Sequence, residues 1–293
     1  MLSIIIVTYR CKDDVLKCLA TLPADAQIIV ADNASGDGTV EAIREQFPGV
    51  CVLALVENIG FAKANNLAVG YMRHWCAVQQ VPKPEFLLLL NPDTIIPEPD
   101  ALARCIAYLA SQPETVAGMT CRVESPDGSL QWECARRFPT VFSECAKAFF
   151  PYKRWDAIPG FDETREQAVP CVLGAFVLLR LSAWELVGGF DERFFLMYED
   201  VDLCRKLAQK GGTLRYWPEA RIVHTGGQSW KTDRPRTYAN THVSSLQYVA
   251  KYWPGSEKFV RLVFLLALWL KKLATRGNPD KQVMIAAAQE ALR

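Results

Sequence analysis

The chain has 293 residues, of which 50% are hydrophobic and 22% charged, enough to bury one α/β domain of ordinary enzyme size with a C-terminal extension. That balance excludes disordered, collagen-like and coiled-coil proteins. The 33 Lys and Arg against 32 Asp and Glu leave a net charge of +1, so no nucleic-acid partner is expected and any charged ligand must be met by a local patch.

The 10 cysteines include no CxxC pair and do not cluster near the three histidines, which fits a reduced, cytoplasmic chain better than a disulfide or zinc framework. The start, Met1-Leu2-Ser3-Ile4-Ile5-Ile6-Val7-Thr8, has neither a basic leader nor a small-residue cleavage site and reads as a buried first strand.

In chain order, Ser3–Thr8, Gln27–Ala31, Val50–Leu55 and Phe86–Leu90 are apolar runs of strand length. Helical spacing lies between them: Val15, Leu16, Leu19 and Leu22 share one face, and Val40–Phe47 and Phe61–Trp75 supply two more helices. Such alternation implies right-handed crossovers and a mostly parallel sheet covered on both faces. Ligands then sit at the carboxyl ends of the strands. Val123–Arg137, containing Pro126-Asp127-Gly128, predicts a turn with short antiparallel strands, and Phe149–Pro170 reads as an irregular acceptor-side loop. Regular structure resumes with a strand over Val172–Leu179, helices at Ser182–Val187 and Glu199–Gln209, and strands near Leu214 and Ile222. After Trp230 the chain reads as helical and basic.

Four constellations carry candidate chemistry. In Val30–Thr39 a strand ends in Asp32-Asn33 and enters a glycine-rich turn. A carboxylate there can accept from a nucleobase edge, but on these residues alone the stronger alternative is that it bonds the turn backbone. The loop has neither GxGxxG nor GxxxxGK[ST], which disfavours dinucleotide oxidoreductases and P-loop enzymes. Leu87–Thr94 delivers Asp93 through a Pro-stiffened turn to a place where a hard divalent cation can bridge it to a diphosphate. The alternative is a cap for the helix after Pro97. Gly188–Arg205 gathers several acids among Phe194, Phe195 and Tyr198, where a carboxylate held partly dry can act as a general base. Asp202 reads as an i,i+4 partner of Lys206; that structural reading does not extend to Asp200. Finally, His224 ends a strand before a glycine turn, well placed to complete a metal site with Asp93.

Together these segments resemble the family 2 inverting glycosyltransferases of GT-A fold, and within them the bacterial rhamnosyltransferase-like enzymes of surface polysaccharide assembly. The matching stretches are SIIIVTY at 3–9, VADNASGDGT at 30–39, ENIGFAKANN at 57–66, LLLLNPDT at 87–94, DGSLQWECARRFPT at 127–140, VLGAFVLLR at 172–180, GGFDERFFLMYEDVDLCRKLAQKGG at 188–212 and VHTGGQSW at 223–230. The resemblance implies a GT-A (nucleotide-diphospho-sugar transferase) fold with a mostly parallel central sheet flanked by helices and a helical C-terminal extension. The implied division is a catalytic domain over 1–230, with a nucleotide-binding half at 1–120 and an acceptor half at 121–230, followed by an extension at 231–293.

It further implies that Thr8, Tyr9 and Asp32 line the nucleotide pocket, with Asp32 toward the base, and that Gly60, Ala64 and Asn65 lie near the ribose or diphosphate. Asn91 and Asp93 would meet the donor diphosphate. Asp93 stands at the metal position and His224 at the later histidine that helps hold Mg²⁺ or Mn²⁺. Asp200, in the Glu199-Asp200 pair, matches the catalytic base. The donor implied for this branch is dTDP-L-rhamnose, with UDP- or GDP-sugars as alternatives, and the acceptor is a glycan or a lipid-linked glycan. Two departures stand out: Asn91 replaces the first acid of a full DxD, and Arg10 stands where relatives often carry Asn. The rival from another class is a non-catalytic nucleotide- or glycan-binding module of the same fold, which the intact Asp93, Asp200 and His224 disfavour.

From Lys231 to Arg276 there are nine Lys or Arg and two acids around the apolar helix Phe259–Leu270. The run Leu262–Leu270 is too short to cross a bilayer, which takes about 20 residues. A basic, Trp-containing apolar helix over 258–272 suits peripheral contact with an anionic membrane at the cytoplasmic face. The alternatives are packing on the catalytic domain or on a second copy in a homodimer.

Overall fold

The computed structural model describes residues 1–226 and 233–293. Four parallel strands, β1 (Leu2–Thr8), β2 (Gln27–Asp32), β3 (Cys51–Ala54) and β4 (Phe86–Leu90), lie in the order β3-β2-β1-β4. Every residue of β4 is buried because the strand is flanked on both sides, by β1 and by β10 (Phe176–Arg180). Such a strand reads as an unbroken apolar run rather than an alternation. The helices α1 (Lys12–Ala20), α2 (Thr39–Gln46) and α3 (Phe61–Val78) cross over between these strands. All fall where the apolar spacing predicts them, within a few residues at the ends.

The sheet continues β4-β10-β6-β11-β5, with β6 (Val116–Glu124), β11 (Thr213–His224) and β5 (Thr94–Ile95), while β8 (Gln167–Val169) pairs with β11. β10 runs antiparallel to both neighbours, yet β6 and β11 again run with the first four strands, so the sheet is mostly parallel. Gly118 of β6 is required by close approach: a Cβ there would lie 2.5 Å from the Leu178 carbonyl oxygen.

Three differences from the sequence expectation have physical causes. The single strand expected over Val172–Leu179 is two, β9 (Cys171–Val172) and β10, separated at Leu173-Gly174-Ala175. β9 leaves the main sheet to pair with β7 (Ala135–Arg136). The two strands expected near Leu214 and Ile222 are one, β11, with a register break between Trp217 and Arg221 where Pro218 lacks the hydrogen for a ladder bond. β6 itself escapes sequence patterning: its Gly, Thr and Cys carry a weak hydrophobic signal, although nearly all of it is buried.

Two helices precede the break, α4 (Ala101–Ser111) and α5 (Val141–Phe149), the latter entered through a Thr140–Ser143 capping box. After it come α6 (Leu181–Val187) and α7 (Glu199–Gln209). The C-terminal extension forms α8 (Arg234–Tyr252), capped by Asp233 with Pro in its first turn, then α9 (Glu257–Ala274) and α10 (Pro279–Ala291). Tyr248 of α8 belongs to the main core, whereas Leu246, Val249, Val260, Phe264, Leu268 and Ile285 build a second core with Ala148 of α5. The inner face of α9 therefore packs on the catalytic domain, as one of the sequence alternatives has it. Its outer face leaves Phe259, Leu262, Leu266 and Trp269 exposed. Among the described residues no helix is long and apolar enough to cross a membrane.

Candidate active site

The carboxyl ends of β1, β2 and β4 and the far end of β11 open onto a cavity of about 470 Å³, the size of a small-molecule site. Its walls include Tyr9, Asn33, Asn91, Asp93, Arg136, Gly174, Glu199, Asp200, His224 and the first turns of α8.

β11 and β5 are paired with His224 opposite Thr94, and Thr225 donates its backbone N–H to the Asp93 carbonyl at 3.0 Å. This register carries His224 from 131 positions away in sequence to Asp93: Nε2 lies 3.3 Å from Asp93 Oδ1 and 3.3 Å from Asn91 Nδ2. Asp93 is not the helix cap, a place taken by Asp100. Carboxylate, imidazole and a side-chain amide grouped at one strand end are a donor set that fits a divalent cation. Two atoms bound side by side to one such ion stand about 3 Å apart, close to the Asp93–His224 separation. Among the described residues no three His, Cys, Asp or Glu side chains converge on one point, so the remaining positions around an ion would fall to diphosphate oxygens, Asn91 and water.

Asp200, the second residue of α7, lines the same cavity. Its Oδ2 accepts from Gly174 N at 3.0 Å and from Arg136 Nη2 at 2.9 Å, and its Oδ1 accepts from Val201 N at 2.7 Å. Gly174 lies in the segment that separates β9 from β10 and packs on Asp200: a Cβ there would sit in ordinary contact, 3.6 Å from Oδ2. Glu199 is equally buried, but its Oε2 has no partner among the described residues. Burial, and next to it the Asp200 charge, pushes the Glu199 carboxyl up to about 8. The adjacent acids are thus held differently: Asp200 is bonded as a carboxylate, and Glu199 is kept protonated at neutral pH. Asp202, accepted as a structural partner from the sequence, meets Lys206 at 3.8 Å and is bonded more closely by Lys251 Nζ at 2.6 Å and Tyr252 Oη at 2.7 Å, both on α8.

The turn before these acids is strained. Met197 and Tyr198 have φ of 70° and 69°, a region that non-glycine residues visit at a cost. Arg10 has φ 51° beside Tyr9; Asn enters that conformation more readily than Arg, which accounts for the residue expected there in relatives.

Asp32 divides its carboxylate. Oδ2 accepts from Ser35 N at 3.0 Å, as the turn-bonding alternative requires, while Oδ1 is buried without a partner among the described residues. Asn33, not Asp32, lines the cavity; its Nδ2 donates to the Gly60 carbonyl and its Oδ1 accepts from Ile59 N. Thr8 lies beneath the wall, its hydroxyl 3.1 Å from Cys11 Sγ. Ala64 and Asn65 are buried inside α3, where Asn65 donates back to the Phe61 carbonyl, and Gly60 packs on the Phe195 backbone. The structure therefore brings Tyr9, Asn91, Asp93, Glu199, Asp200 and His224 to one cavity, with Thr8, Asp32, Gly60, Ala64 and Asn65 supporting it from behind. Gln131, Arg136 and Gly174 lie inside the matching stretches, and only their contacts in the folded chain give them places at the site.

Residues 2–240 match the family described as "Glycosyltransferase like family 2". The chain is a family 2 glycosyltransferase. It is 28% identical over 266 residues to an N-acetylglucosaminyl-diphospho-decaprenol L-rhamnosyltransferase of Mycobacterium tuberculosis, covering 87% of this chain and 86% of that one. It is also 28% identical over 254 residues to the rhamnosyltransferase WbbL of Escherichia coli, covering 86% and 93%. Among solved structures it resembles a mannosyltransferase of Pyrobaculum calidifontis in complex with GDP-Man and Mn²⁺, with TM-score 0.58 and 18% identity over 98% of this chain and 85% of that one. The glycosyltransferase fold expected from the sequence is the one observed. The family match runs past residue 230 into α8, and the expected boundary at Trp230–Lys231, with the end of the VHTGGQSW stretch, lies outside the described residues.

Proposed function

We propose that this glycosyltransferase transfers L-rhamnose from dTDP-L-rhamnose to a hydroxyl of a bacterial cell-surface polysaccharide or lipid-linked glycan, by single displacement with inversion. The observation that carries the reading is that Asp200 and the Asp93–His224 pair line one cavity. The two rhamnosyltransferase relatives support the choice of sugar.

In this mechanism Asp200 accepts the acceptor hydroxyl's proton as that oxygen attacks the anomeric carbon. The bond to the diphosphate breaks on the opposite face, and its electron pair leaves with the nucleoside diphosphate. Arg136 and Gly174 N fix the Asp200 carboxylate, so it loses little freedom on reaching the reactive geometry. Asp93 and His224 would hold Mg²⁺ or Mn²⁺, which would supply charge neutralisation for the leaving group. Asp32, behind the cavity wall with Oδ1 unpartnered among the described residues, backs the nucleobase side, and Thr8, Tyr9, Gly60, Ala64, Asn65 and Asn91 shape the donor side. Residues 1–230 carry the chemistry. In the 231–293 extension, α8 closes the acceptor side and the exposed face of α9 rests on an anionic membrane at the cytoplasmic surface.

The same reaction with another donor is the second reading, favoured by the structural neighbour in complex with GDP-Man. Calorimetry with dTDP-, UDP- and GDP-sugars, each with Mg²⁺, with Mn²⁺ and with chelator, separates the cases. Tight, metal-dependent binding of dTDP-L-rhamnose alone is expected. Preference for another nucleotide replaces the donor, and binding of none by folded protein moves the chain to the non-catalytic alternative.

A further inference from the structure

Among the described residues, the ring of His224 is held on its far side by Gln131. Gln131 Nε2 donates to the backbone carbonyl of His224 at 2.7 Å, and Gln131 Oε1 faces His224 Nδ1 at 2.8 Å. A backbone carbonyl can only accept, so the amide must present its NH₂ there. That leaves Oε1, itself only an acceptor, toward the ring, and Nδ1 must carry the hydrogen between them. The amide is further held by Ser125 Oγ at 3.4 Å, and Gln131's own N–H donates to the Val123 carbonyl at 2.9 Å. A neutral imidazole has one N–H. With it on Nδ1, the lone pair of Nε2 points at Asp93 Oδ1 and at Asn91 Nδ2, 3.3 Å from each.

The opposite tautomer has an attraction of its own, because an Nε2–H would meet the Asp93 carboxylate. It would also occupy both groups with each other. The choice between a ring that ligates and a ring that ties up its neighbour is made from behind.

We propose that Gln131 is a positioning residue that fixes the tautomer of His224, keeping Nε2 unprotonated and directed at the Asp93 turn. In this chain Asn91 stands in place of the first acid of a full DxD, so among the described residues Asp93 and His224 are the two ionisable groups grouped at this turn, and a His224 ring in the wrong tautomer would halve them. The use made of that lone pair rests on the metal reading proposed above; the state of the ring does not.

The two are separated by one set of measurements on the full chain. It contains three histidines, His74, His224 and His242, so ¹⁵N imidazole spectra are tractable, with His224→Asn assigning the signal. At mildly alkaline pH, without metal, the wild-type His224 is expected as Nδ1–H and Gln131→Leu is expected to move it toward Nε2–H. A wild-type ring already in the Nε2–H form, or one unchanged in Gln131→Leu, overturns the proposal. Binding of Mn²⁺ alone, followed by electron paramagnetic resonance, is expected to weaken about 10- to 100-fold in Gln131→Leu, the usual range for a residue that orients a ligand. A wild-type chain with the Nδ1–H ring that takes up no Mn²⁺ sinks the metal reading and leaves Gln131 as what sets the ring. Equal Mn²⁺ affinity in both proteins, with the tautomer changed, overturns the functional part of the proposal.

Discussion

The phenol of Tyr198 donates to Glu144 Oε2 at 2.5 Å, and the same carboxylate is met by Ser245 of α8 and by Lys147. The residue immediately before Glu199 and Asp200 is thereby tied to α5 and to α8 at once. Tyr198→Phe leaves the buried Glu144 short of one donor and frees a backbone held at φ 69°. The expected cost is about 1–3 kcal/mol of stability, read by chemical denaturation, with a fall in kcat larger than any rise in KM. Unchanged kcat would separate this anchor from catalysis.

Asp200→Asn is expected to abolish turnover while donor affinity stays close to wild type, since removing a base leaves the shape of the site intact. Glu199→Gln, by contrast, copies the protonated form that burial already imposes, and most of the activity should survive. A reversal of these two outcomes in a steady-state assay would exchange the roles of the adjacent acids.

Glu199 also predicts a pH effect on stability. Its carboxyl is raised in the folded chain from 4.5 to about 8, so the folded state holds this proton more tightly than the unfolded state. The resulting stabilisation is complete below the unfolded value and is lost as pH rises through the folded one. Thermal melts of the wild type should fall more between pH 5 and pH 9 than those of Glu199→Gln; parallel curves would refute the assignment.

Arg136 is partly buried against Asp200, and although burial opposes its charge, that carboxylate holds the guanidinium well above its ordinary range. Arg136→Met leaves Asp200 unpaired, at a cost of about 3–5 kcal/mol. Adding Asp200→Asn should recover part of it. Additive losses in this double-mutant cycle would show that the pair is not coupled.

Asp93→Ala is expected to weaken donor binding and to erase its dependence on Mg²⁺ or Mn²⁺, measured by calorimetry with and without chelator. Identical donor affinity and metal response would remove Asp93 from the site.

The exposed stripe on α9 gives a prediction outside the cavity. Leu262 and Trp269 are 66% and 52% exposed while Phe264 and Leu268 of the same helix are buried. Leu262→Ser with Trp269→Ser should therefore leave stability nearly unchanged and abolish flotation with anionic vesicles. Removing the helix is a poorer test, because it would open the second core. Persistent flotation would place the membrane contact elsewhere, and a concentration-dependent change in mass lost in the same variant would point to a second copy instead.

Much of this protein is determined by local pattern. The unbroken apolar β4, the helical spacing of Phe61–Val78 and the Glu199–Gln209 helix follow from which residues must leave water, and those signals are complete within ten or twenty positions. The types of the reactive groups, Asp93, His224, Glu199 and Asp200, are also legible, because chemistry needs carboxylates and imidazole at strand and helix ends.

What the tertiary structure alone decided is who faces whom. The break at Gly174, whose N–H reaches Asp200, and the pairing of Asp200 with Arg136 rather than with a residue of its own helix, depend on strand register. So does the approach of Gln131 to the back of His224. Burial decides the rest: it protonates Glu199 beside an Asp200 that Arg136 and two backbone N–H groups hold as a carboxylate. Burial and register are sums over contacts far apart in sequence, and no local pattern carries them.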